Sequence, residues 1–539
     1  MILAGSRFVS VVDALHSLPL VWRMLRSHLL AALACTCSLS LLAQEASKEA
    51  PKAENKPAEK KEEKKDAKPA DAKKEDSSVT HGSVTINGKE VKYKATAAML
   101  PILRPDNKPA AQIFHIAYTA EGGDPKTRPV TFCFNGGPGS SSVWLHLGAF
   151  GPKRVNLPAD GLTPPKPPGG LVPNEFSLLS DTDLVFIDPV NTGFSQATDP
   201  QKVSEFLGVR EDIQAVAEFI RLWLTREKRW LSPKFIAGES YGGIRGGGLA
   251  EHLASKHRIY LNGLIIVSGL LDYDTLTGTT LNDLPNQVLL PALAAVAHYH
   301  KKLPPDLQNA PRDKAIAEAR EFAYRDYAYA LHMARDLPKA ERDKTVKKLA
   351  RLTGLPEKLI DDHNMLISGG LFREHLLRDQ KLVLGAYDAR VTGRDSDTSE
   401  NHPEIDPFMN VVGGIAAASM NAYLREELQF ERDLPYEALK PQPGWNHGQG
   451  NNYTSVNHDL SKAMMGNPHL QVLALMGWAD LVTPPDNMVH SLRHLSIPAE
   501  LRKNIHTAEY DAGHMMYTNQ PDMKKMHADI AAFIAGCLK

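Results

Sequence analysis

The chain has few cysteines and almost no net charge. It contains 4 cysteines among 539 residues, and only Cys133 and Cys537 lie beyond residue 43. A disulfide framework is therefore excluded, and we expect a large hydrophobic core with Cys133 as a buried thiol rather than paired with Cys537. The formal net charge is −1, and no arginine-rich or aromatic-interleaved patch occurs. Nucleic acid is therefore not an expected partner.

An apolar run near the N-terminus has the features of an export signal. Residues 29–43 follow Arg23 and Arg26, and the run is too short and too serine-rich for a comfortable membrane span. We predict a signal peptide over residues 1–43, with the true start at Met24. A buried N-terminal helix is the alternative.

A polar segment rich in Lys, Glu, Ala, Asp and Pro follows, over residues 44–77. It has too little apolar surface to offset its ordering entropy, so we predict a disordered linker; a single solvated helix is disfavoured by three prolines. Cys35 imperfectly resembles a bacterial lipoprotein site. Export with so few cysteines suggests a bacterial periplasm or extracellular location, with membrane contact only through the signal or a lipid on Cys35.

The next part of the chain predicts a sheet with two kinds of strand pairing. Alternating apolar and polar residues on both sides of Asn87-Gly88 predict a β-hairpin at an antiparallel edge. Residues 130–134, 184–187 and 264–268 are short apolar runs that alternate with helical spacing. This alternation is typical of a parallel sheet covered on both faces.

The alternation stops after residue 271 and returns near the C-terminus. The intervening sequence has helical spacing without short apolar strands, including a predicted helix over 284–300 that borders the site. Strands are predicted again over 470–476 and 504–510, and a helix over 523–533. The predicted divisions are a first α/β core part (78–271), a helical cap insertion (272–455) and a second core part (456–539).

The pentapeptide Gly238-Glu239-Ser240-Tyr241-Gly242 is the most informative motif. It follows the apolar residues 235–237 and precedes a stretch of small residues that ends in a predicted helix. A Gly-x-Ser-x-Gly turn between a strand and a helix lifts a strained serine clear of the sheet, where a histidine reaches it. The sequence therefore predicts Ser240 as a nucleophile.

Two further side chains follow predicted strands in the order that an α/β-hydrolase requires. Serine needs a base, and the base needs a carboxylate that fixes its tautomer. Asp480 follows strand 470–476, and His514 follows the last strand. These residues predict a Ser, Asp, His triad that requires no cofactor or metal. The alternatives are that Asp480 caps a helix and that His514 is a core residue.

The glycine-rich loop 135–139 follows a predicted strand and favours an oxyanion hole. An amide of this loop and the amide of Tyr241 would meet at the attacked carbonyl. Similar loops bind phosphate, but no lysine accompanies this one. A simple tight turn is the remaining alternative.

Together these motifs resemble the serine carboxypeptidase family of α/β-hydrolases. The resemblance rests on residues 135–142, 188–195, 238–243, 477–480 and 513–515. It implies a peptidase that removes C-terminal residues from peptides, with Ser240, Asp480 and His514 as the triad. It also implies an oxyanion hole formed by Gly137 and Tyr241, and binding of the substrate carboxylate by Asn135 and Glu239.

The proposed carboxylate site has a chemical requirement of its own. Glu239 can bind another carboxylate only if one of the two carries a proton, so binding should be best in mild acid. Glu239 as a fold-supporting carboxyl is the alternative. Two departures from the family matter: Ala149 stands where a second acid is common, and Ser140 stands where cysteine is usual.

Two other functions use the same fold. An esterase or acyltransferase would share the triad, and a surface binding protein would keep the fold without turnover. The resemblance favours peptides with a free C-terminus as substrates, and the oligomeric state is not readable from the sequence.

Overall fold

The computed structural model describes most of the chain beyond the predicted linker. Predictions for the signal peptide, for Cys35 and for nearly all of the linker lie outside the described residues. The first strand begins at Ser77, the last residue assigned to the linker. The described residues are 76–539 without 105, 107, 280, 395–405 and 449–453.

Ten strands form one sheet in the described part of the chain. Its order is β1-β2-β3-β7-β4-β9-β10-β13-β14, with β8 paired to β3. Across the sheet in this order, the strand pairs between β1 and β7 are antiparallel, and the strand pairs between β7 and β14 are parallel. The strands, including four short ones in two separate hairpins, are β1 Ser77–Ile86, β2 Lys89–Leu103, β3 Pro109–Ala120, β4 Val130–Phe134, β5 Lys153–Val155, β6 Leu171–Pro173, β7 Asp183–Ile187, β8 Gln196–Ala197, β9 Lys234–Glu239, β10 Gly263–Val267, β11 Val383–Leu384, β12 Thr392–Gly393, β13 Gln471–Gly477 and β14 Ile505–Tyr510.

The antiparallel edge begins with the predicted hairpin. Ile86 pairs with Lys89, and the two turn residues Asn87 and Gly88 have φ values of 48° and 77°. This left-handed backbone suits asparagine and glycine, which explains why the sequence signal was reliable here.

The parallel half is buried on both faces, as its continuous apolar strands predict. Alternate residues of a strand point to opposite faces. Ala237 and Ile265 therefore pack into the hydrophobic cluster on one face, whereas Ile236 and Ile266 pack into the cluster on the other. The expected α/β-hydrolase fold, with a mostly parallel sheet and an antiparallel N-terminal edge, is confirmed.

Helices cover this sheet and fill most of the segment between its two parts. The C-terminal helix starts at Gln520, three residues before its predicted start at 523. Its first turn accommodates Pro521, because no backbone N–H is required there. The helices are α1 Val143–Leu145, α2 Val209–Arg226, α3 Gly242–His252, α4 Leu284–Tyr299, α5 Pro305–Gln308, α6 Arg312–Phe322, α7 Ala328–Met333, α8 Lys339–Thr353, α9 Glu357–Asp362, α10 Gly369–His375, α11 Pro407–Glu426, α12 Asn457–Gly466, α13 Pro485–Arg493 and α14 Gln520–Cys537.

Segment 272–455, hereafter the insertion, contains α4 to α11. Helices α4 to α10 share a hydrophobic cluster of their own, which also includes Leu481 from the second core part. The two-residue strands β11 and β12 were not predicted, since runs this short carry no periodic signal.

The remaining sequence expectations concern cysteine, metal and membrane. Cys133 is a buried free thiol and Cys537 is a half-buried one, so they do not form a disulfide. Within the ranges given above, no group of three or more His, Cys, Asp or Glu side chains is arranged to hold a metal ion. No helix in that same part of the chain has the length and apolar character needed to cross a bilayer.

Candidate active site

Ser240 occupies a strained turn between β9 and α3. Its φ is +61°, which is unusual for a residue with a side chain and is common at functional sites. The turn requires glycine beside the strand end, because a Cβ on Gly238 would lie 2.3 Å from the carbonyl oxygen of Gly242. The partly exposed serine is thus displayed at the carboxyl end of a central strand.

His514 and Asp480 are joined by a buried hydrogen bond. His514 Nδ1 lies 2.8 Å from Asp480 Oδ2, and both side chains are almost completely buried. Burial is the largest single effect on the pKa of His514 and lowers it, but the charge and hydrogen bond of Asp480, together with the Glu239 charge, raise the pKa above its ordinary value. The pair is therefore suited to hold one imidazole tautomer and to stabilise the protonated ring.

Both oxygens of Asp480 have further hydrogen-bond partners. The backbone amides of Val482 and Thr483 donate to Asp480 Oδ1 at 2.8 and 2.9 Å. The Thr483 hydroxyl lies 2.8 Å from Oδ2 and 2.7 Å from the carbonyl oxygen of Ser268. Since α13 has Pro484 as its N-cap residue, Asp480 does not cap this helix, and that alternative is wrong.

The insertion holds the loop that carries His514. The backbone N–H of His514 donates to the carbonyl of Tyr387 at 2.6 Å, and the Tyr387 ring meets the imidazole edge-on at 5.2 Å. The N–H of Gly513 donates to Asp388 Oδ2 at 3.1 Å, and Arg390 pairs with the same carboxylate at 2.7 Å. Sequence reasoning missed these residues, because nothing in their spacing marks them.

The three predicted catalytic side chains follow strands β9, β13 and β14 in the parallel half of the sheet, where β10 lies between β9 and β13. Glu239 at the end of β9 pairs in register with Val267 of β10, which pairs with Leu475 of β13. Among the described residues, the Ser240 hydroxyl makes no hydrogen bond, so the structure links His514 to Asp480 but not to Ser240. Such contacts are often long in enzymes without substrate and tighten when substrate binds.

The glycine-rich loop lies directly against the serine turn. A Cβ on Gly136 would lie 2.5 Å from the backbone nitrogen of Tyr241, so only glycine permits this approach. Gly137 has φ +104° and is exposed. The two elements predicted to form an oxyanion hole are thus adjacent.

Arg245 connects the glycine-rich loop and the serine turn, and sequence reasoning missed it. Its guanidinium donates to the carbonyl of Asn135 at 2.5 Å and to Asp212 Oδ2 at 2.8 Å. The Tyr241 hydroxyl donates to the same carboxylate oxygen at 3.2 Å. Its position on α3, within a run of glycines, gave no sequence signal for a buried ion pair.

Replacing Arg245 by leucine should destabilise the protein strongly. The Arg245→Leu variant leaves Asp212 buried without its cation, which costs about 3–5 kcal/mol in unfolding free energy. Denaturant titration measures this loss. The matched control is Arg221→Leu, which breaks a partly exposed pair with Glu218 and should cost less than about 1 kcal/mol. Equal, small losses in the two variants would contradict the assignment.

Glu239 is buried directly before the nucleophile. Burial raises its pKa to about 7, while the His514 charge and hydrogen bonds from Tyr517 and Asn135 oppose that rise. The Tyr517 hydroxyl donates to Glu239 Oε2 at 2.9 Å. Near neutral pH this carboxyl is therefore populated in both its protonated and its ionised form, whereas an ordinary surface glutamate is ionised.

The two departures noted in the sequence have simple structural counterparts. Ser140 accepts a hydrogen bond from the Trp144 indole at 2.8 Å and contacts the carbonyl of Ala438 in the insertion at 3.4 Å. Hydrogen bonds therefore tether the insertion at this point without a disulfide. Ala149 is buried and carries no acid toward Glu239.

The fold and this arrangement of side chains define an α/β-hydrolase. Residues 102–316 match the family described as Serine carboxypeptidase. The match includes Ser240, Glu239 and the loop 135–139 but ends before Asp480 and His514. The resemblance inferred from the motifs is confirmed.

Known proteins match the chain over limited stretches. Carboxypeptidase Y homolog A of Talaromyces stipitatus is 33% identical over 171 residues, 31% of this chain and 28% of its own. Lysosomal protective protein of Mus musculus is 31% identical over 163 residues, 30% of this chain and 32% of its own. The matched stretches span about a third of these relatives. The crystal structure of VinJ is 15% identical, covers 82% of this chain and 98% of its own, and has a TM-score of 0.36, too distant to bear on function.

Proposed function

We propose that this protein is a serine-type carboxypeptidase that releases C-terminal residues from peptides through an acyl-enzyme on Ser240. The observation that supports this most is Glu239, a buried carboxyl placed directly before the nucleophile and beside Asn135. A group that binds the terminal carboxylate at this point would bring the last peptide bond to Ser240.

In the first half of the reaction, the Ser240 hydroxyl attacks the carbonyl carbon of the last peptide bond. His514 takes the hydroxyl proton as the Oγ–C bond forms, and Asp480 stabilises the resulting imidazolium. The C–N bond then breaks, and His514 returns the proton to the leaving amine. Water completes the cycle: His514 takes a proton from water as the water oxygen attacks the acyl carbon. The Oγ–C bond then breaks to release the free acid, and His514 returns the proton to Ser240 Oγ.

The negative charge on the attacked oxygen requires donors that are already in place. We propose the backbone amides of Gly137 and Tyr241 for this role, because the glycine-rich loop and the serine turn are in contact. Arg245 supports both elements through the Asn135 carbonyl and Asp212, so the donors need little reorganisation during the reaction.

The ratio of activity on two matched peptides tests the carboxylate site. We expect a blocked dipeptide with a free C-terminus to be cleaved with about tenfold or higher kcat/KM than its C-terminal amide below neutral pH, since a charge-assisted hydrogen bond is gained. As the pH rises through the Glu239 pKa of about 7, Glu239 ionises, repels the substrate carboxylate, and the ratio falls. Ionisation of His514 affects both peptides alike and cancels in the ratio.

The same comparison separates the alternatives. An aryl ester serves as the control substrate, because it reports the triad without the carboxylate site. If the free acid gains nothing over the amide at any pH while the ester is hydrolysed, the protein is an esterase or acyltransferase. If none of the three is turned over, a binding protein of the same fold is the better description.

We also propose that residues 272–455 act as a cap over the site. The Tyr387 ring contacts His514 from this segment, and its carbonyl fixes the histidine loop. Side-chain preference next to the cleaved bond is then set largely by the insertion.

We further propose export of this protein through a signal in residues 1–43, followed by a tether over 44–77. Basic residues before an apolar run and the polar composition of the tether support this proposal. A periplasmic or extracellular location agrees with the scarcity of cysteine, and lipid attachment at Cys35 is the alternative mode of membrane contact.

A further inference from the structure

Tyr517 is a buried tyrosine beside Glu239, and it takes no part in the proton transfers between Ser240, His514 and the substrate. Its hydroxyl donates to Glu239 Oε2 at 2.9 Å. Burial, together with the nearby Glu239 carboxyl, raises the pKa of Tyr517 well above its ordinary value. The hydroxyl therefore keeps its proton throughout the physiological pH range and acts as a permanent donor.

The ring of Tyr517 packs against Gly148 in the π-helical turn His146–Phe150. A Cβ on Gly148 would lie 2.5 Å from Cε2 of the ring, so this packing requires glycine. Ala149 is also buried and apolar. Tyr517 also lines a cavity of about 190 Å³ together with Trp144, Gly148 and Met515. The close packing of the ring against Gly148 therefore positions the hydroxyl that donates to Glu239.

We propose that Tyr517 is a positioning residue for Glu239. Its hydroxyl holds the Glu239 carboxyl group in place and limits the pH range over which Glu239 binds the terminal carboxylate of a peptide. This inference rests on the proposed function. A donor stabilises the ionised form of a carboxyl group. Tyr517 therefore makes Glu239 lose its proton at a lower pH than burial alone would dictate.

Several other groups face Glu239 and act on the same proton. The His514 charge and the Asn135 amide favour ionisation, whereas Asp480 opposes it. Tyr387 is a further neighbour that interacts electrostatically with Glu239. Replacing Tyr517 by phenylalanine leaves all of these groups in place, so a change in pH dependence can be assigned to the lost hydroxyl.

The Tyr517→Phe variant tests the proposal. KM and kcat are measured across pH for a blocked dipeptide with a free C-terminus and for its amide. The pH midpoint at which KM for the free acid rises should move upward by about one unit, the effect of one hydrogen bond to a charged group. The KM profile of the amide and the kcat values should stay unchanged.

Two further variants make the test independent of general effects on folding. Tyr327→Phe removes a buried hydroxyl that donates to the Met365 carbonyl in the insertion, and it should keep the wild-type profile. Gly148→Ala pushes the Tyr517 ring away while its hydroxyl is retained, and it should reproduce the upward shift. It also carries the test if Tyr517→Phe fails to fold.

The outcomes distinguish a failure of the positioning role of Tyr517 from a failure of the proposed carboxypeptidase function. If the wild type prefers the free acid but the midpoint in Tyr517→Phe and Gly148→Ala is unchanged or moves downward, the positioning role is wrong and the proposed function stands. An equal shift for the amide also overturns the positioning role. A wild type with no preference for the free acid overturns both.

Discussion

Replacing Ser240 by alanine should lower kcat by about 10⁶-fold, to the level that binding and the oxyanion donors sustain alone. The turn already holds this residue at φ +61°, and alanine has the same backbone preferences as serine there. The fold should therefore persist. Hydrolysis of the free-acid dipeptide and labelling by a fluorophosphonate probe measure the effect, and the variant should show neither.

The control for this result is a buried serine outside the site. Ser461 lies on α12 and donates to the carbonyl of Asn457. The Ser461→Ala variant should be labelled and active like the wild type, whereas His514→Ala should be folded but scarcely labelled. Equal labelling of His514→Ala and the wild type would show that the imidazole does not activate Ser240.

Replacing Asp480 by asparagine should lower kcat by about 10⁴-fold with little change in KM. The asparagine amide would present N–H or oxygen to His514 Nδ1 without a negative charge. The wrong imidazole tautomer would then be favoured, and the imidazolium would lose its partner at 2.8 Å. Kinetics on the free-acid dipeptide measure the loss.

The size of the Asp480 effect can be checked against a neighbour. Thr483→Val removes a hydroxyl that lies 2.8 Å from Asp480 Oδ2 and 3.0 Å from His514 Nδ1, but it keeps the carboxylate. We expect a much smaller loss in kcat, about tenfold, from the loss of one hydrogen bond. Comparable losses in the two variants would mean that geometry, not charge, is the contribution of Asp480.

The central sheet was predictable because its strands carry strong local patterns. The strand over 130–134 was predicted with the bounds that the structure has, and Asn87-Gly88 forms the expected turn. Such segments bury both faces or require left-handed backbone, so their residue types are restricted. The positions of Ser240, Asp480 and His514 after strand ends were predictable for the same reason, because each follows a strand that the pattern identifies.

The supporting residues were not predictable, because their roles arise from contacts between distant segments. Tyr517 meets Glu239 across the sheet ends, and Arg245 reaches Asp212 from another helix. A buried arginine or tyrosine has no periodic signal of its own. Asp388 is a clear case, since its partner Gly513 lies far along the chain and only the folded insertion brings them together.

The contacts of Tyr387 and Asp388 with the loop that carries His514 make the position of this proposed general base dependent on a segment outside the sheet. Loosening that segment, by mild heat or by a protease cut between its helices, would release the imidazole while the ten strands remain paired. Inactivation would then precede global melting. A different insertion grafted onto this sheet would need the same turn at Tyr387 and Asp388, because the loop that carries His514 would otherwise lose the hydrogen bonds that hold it.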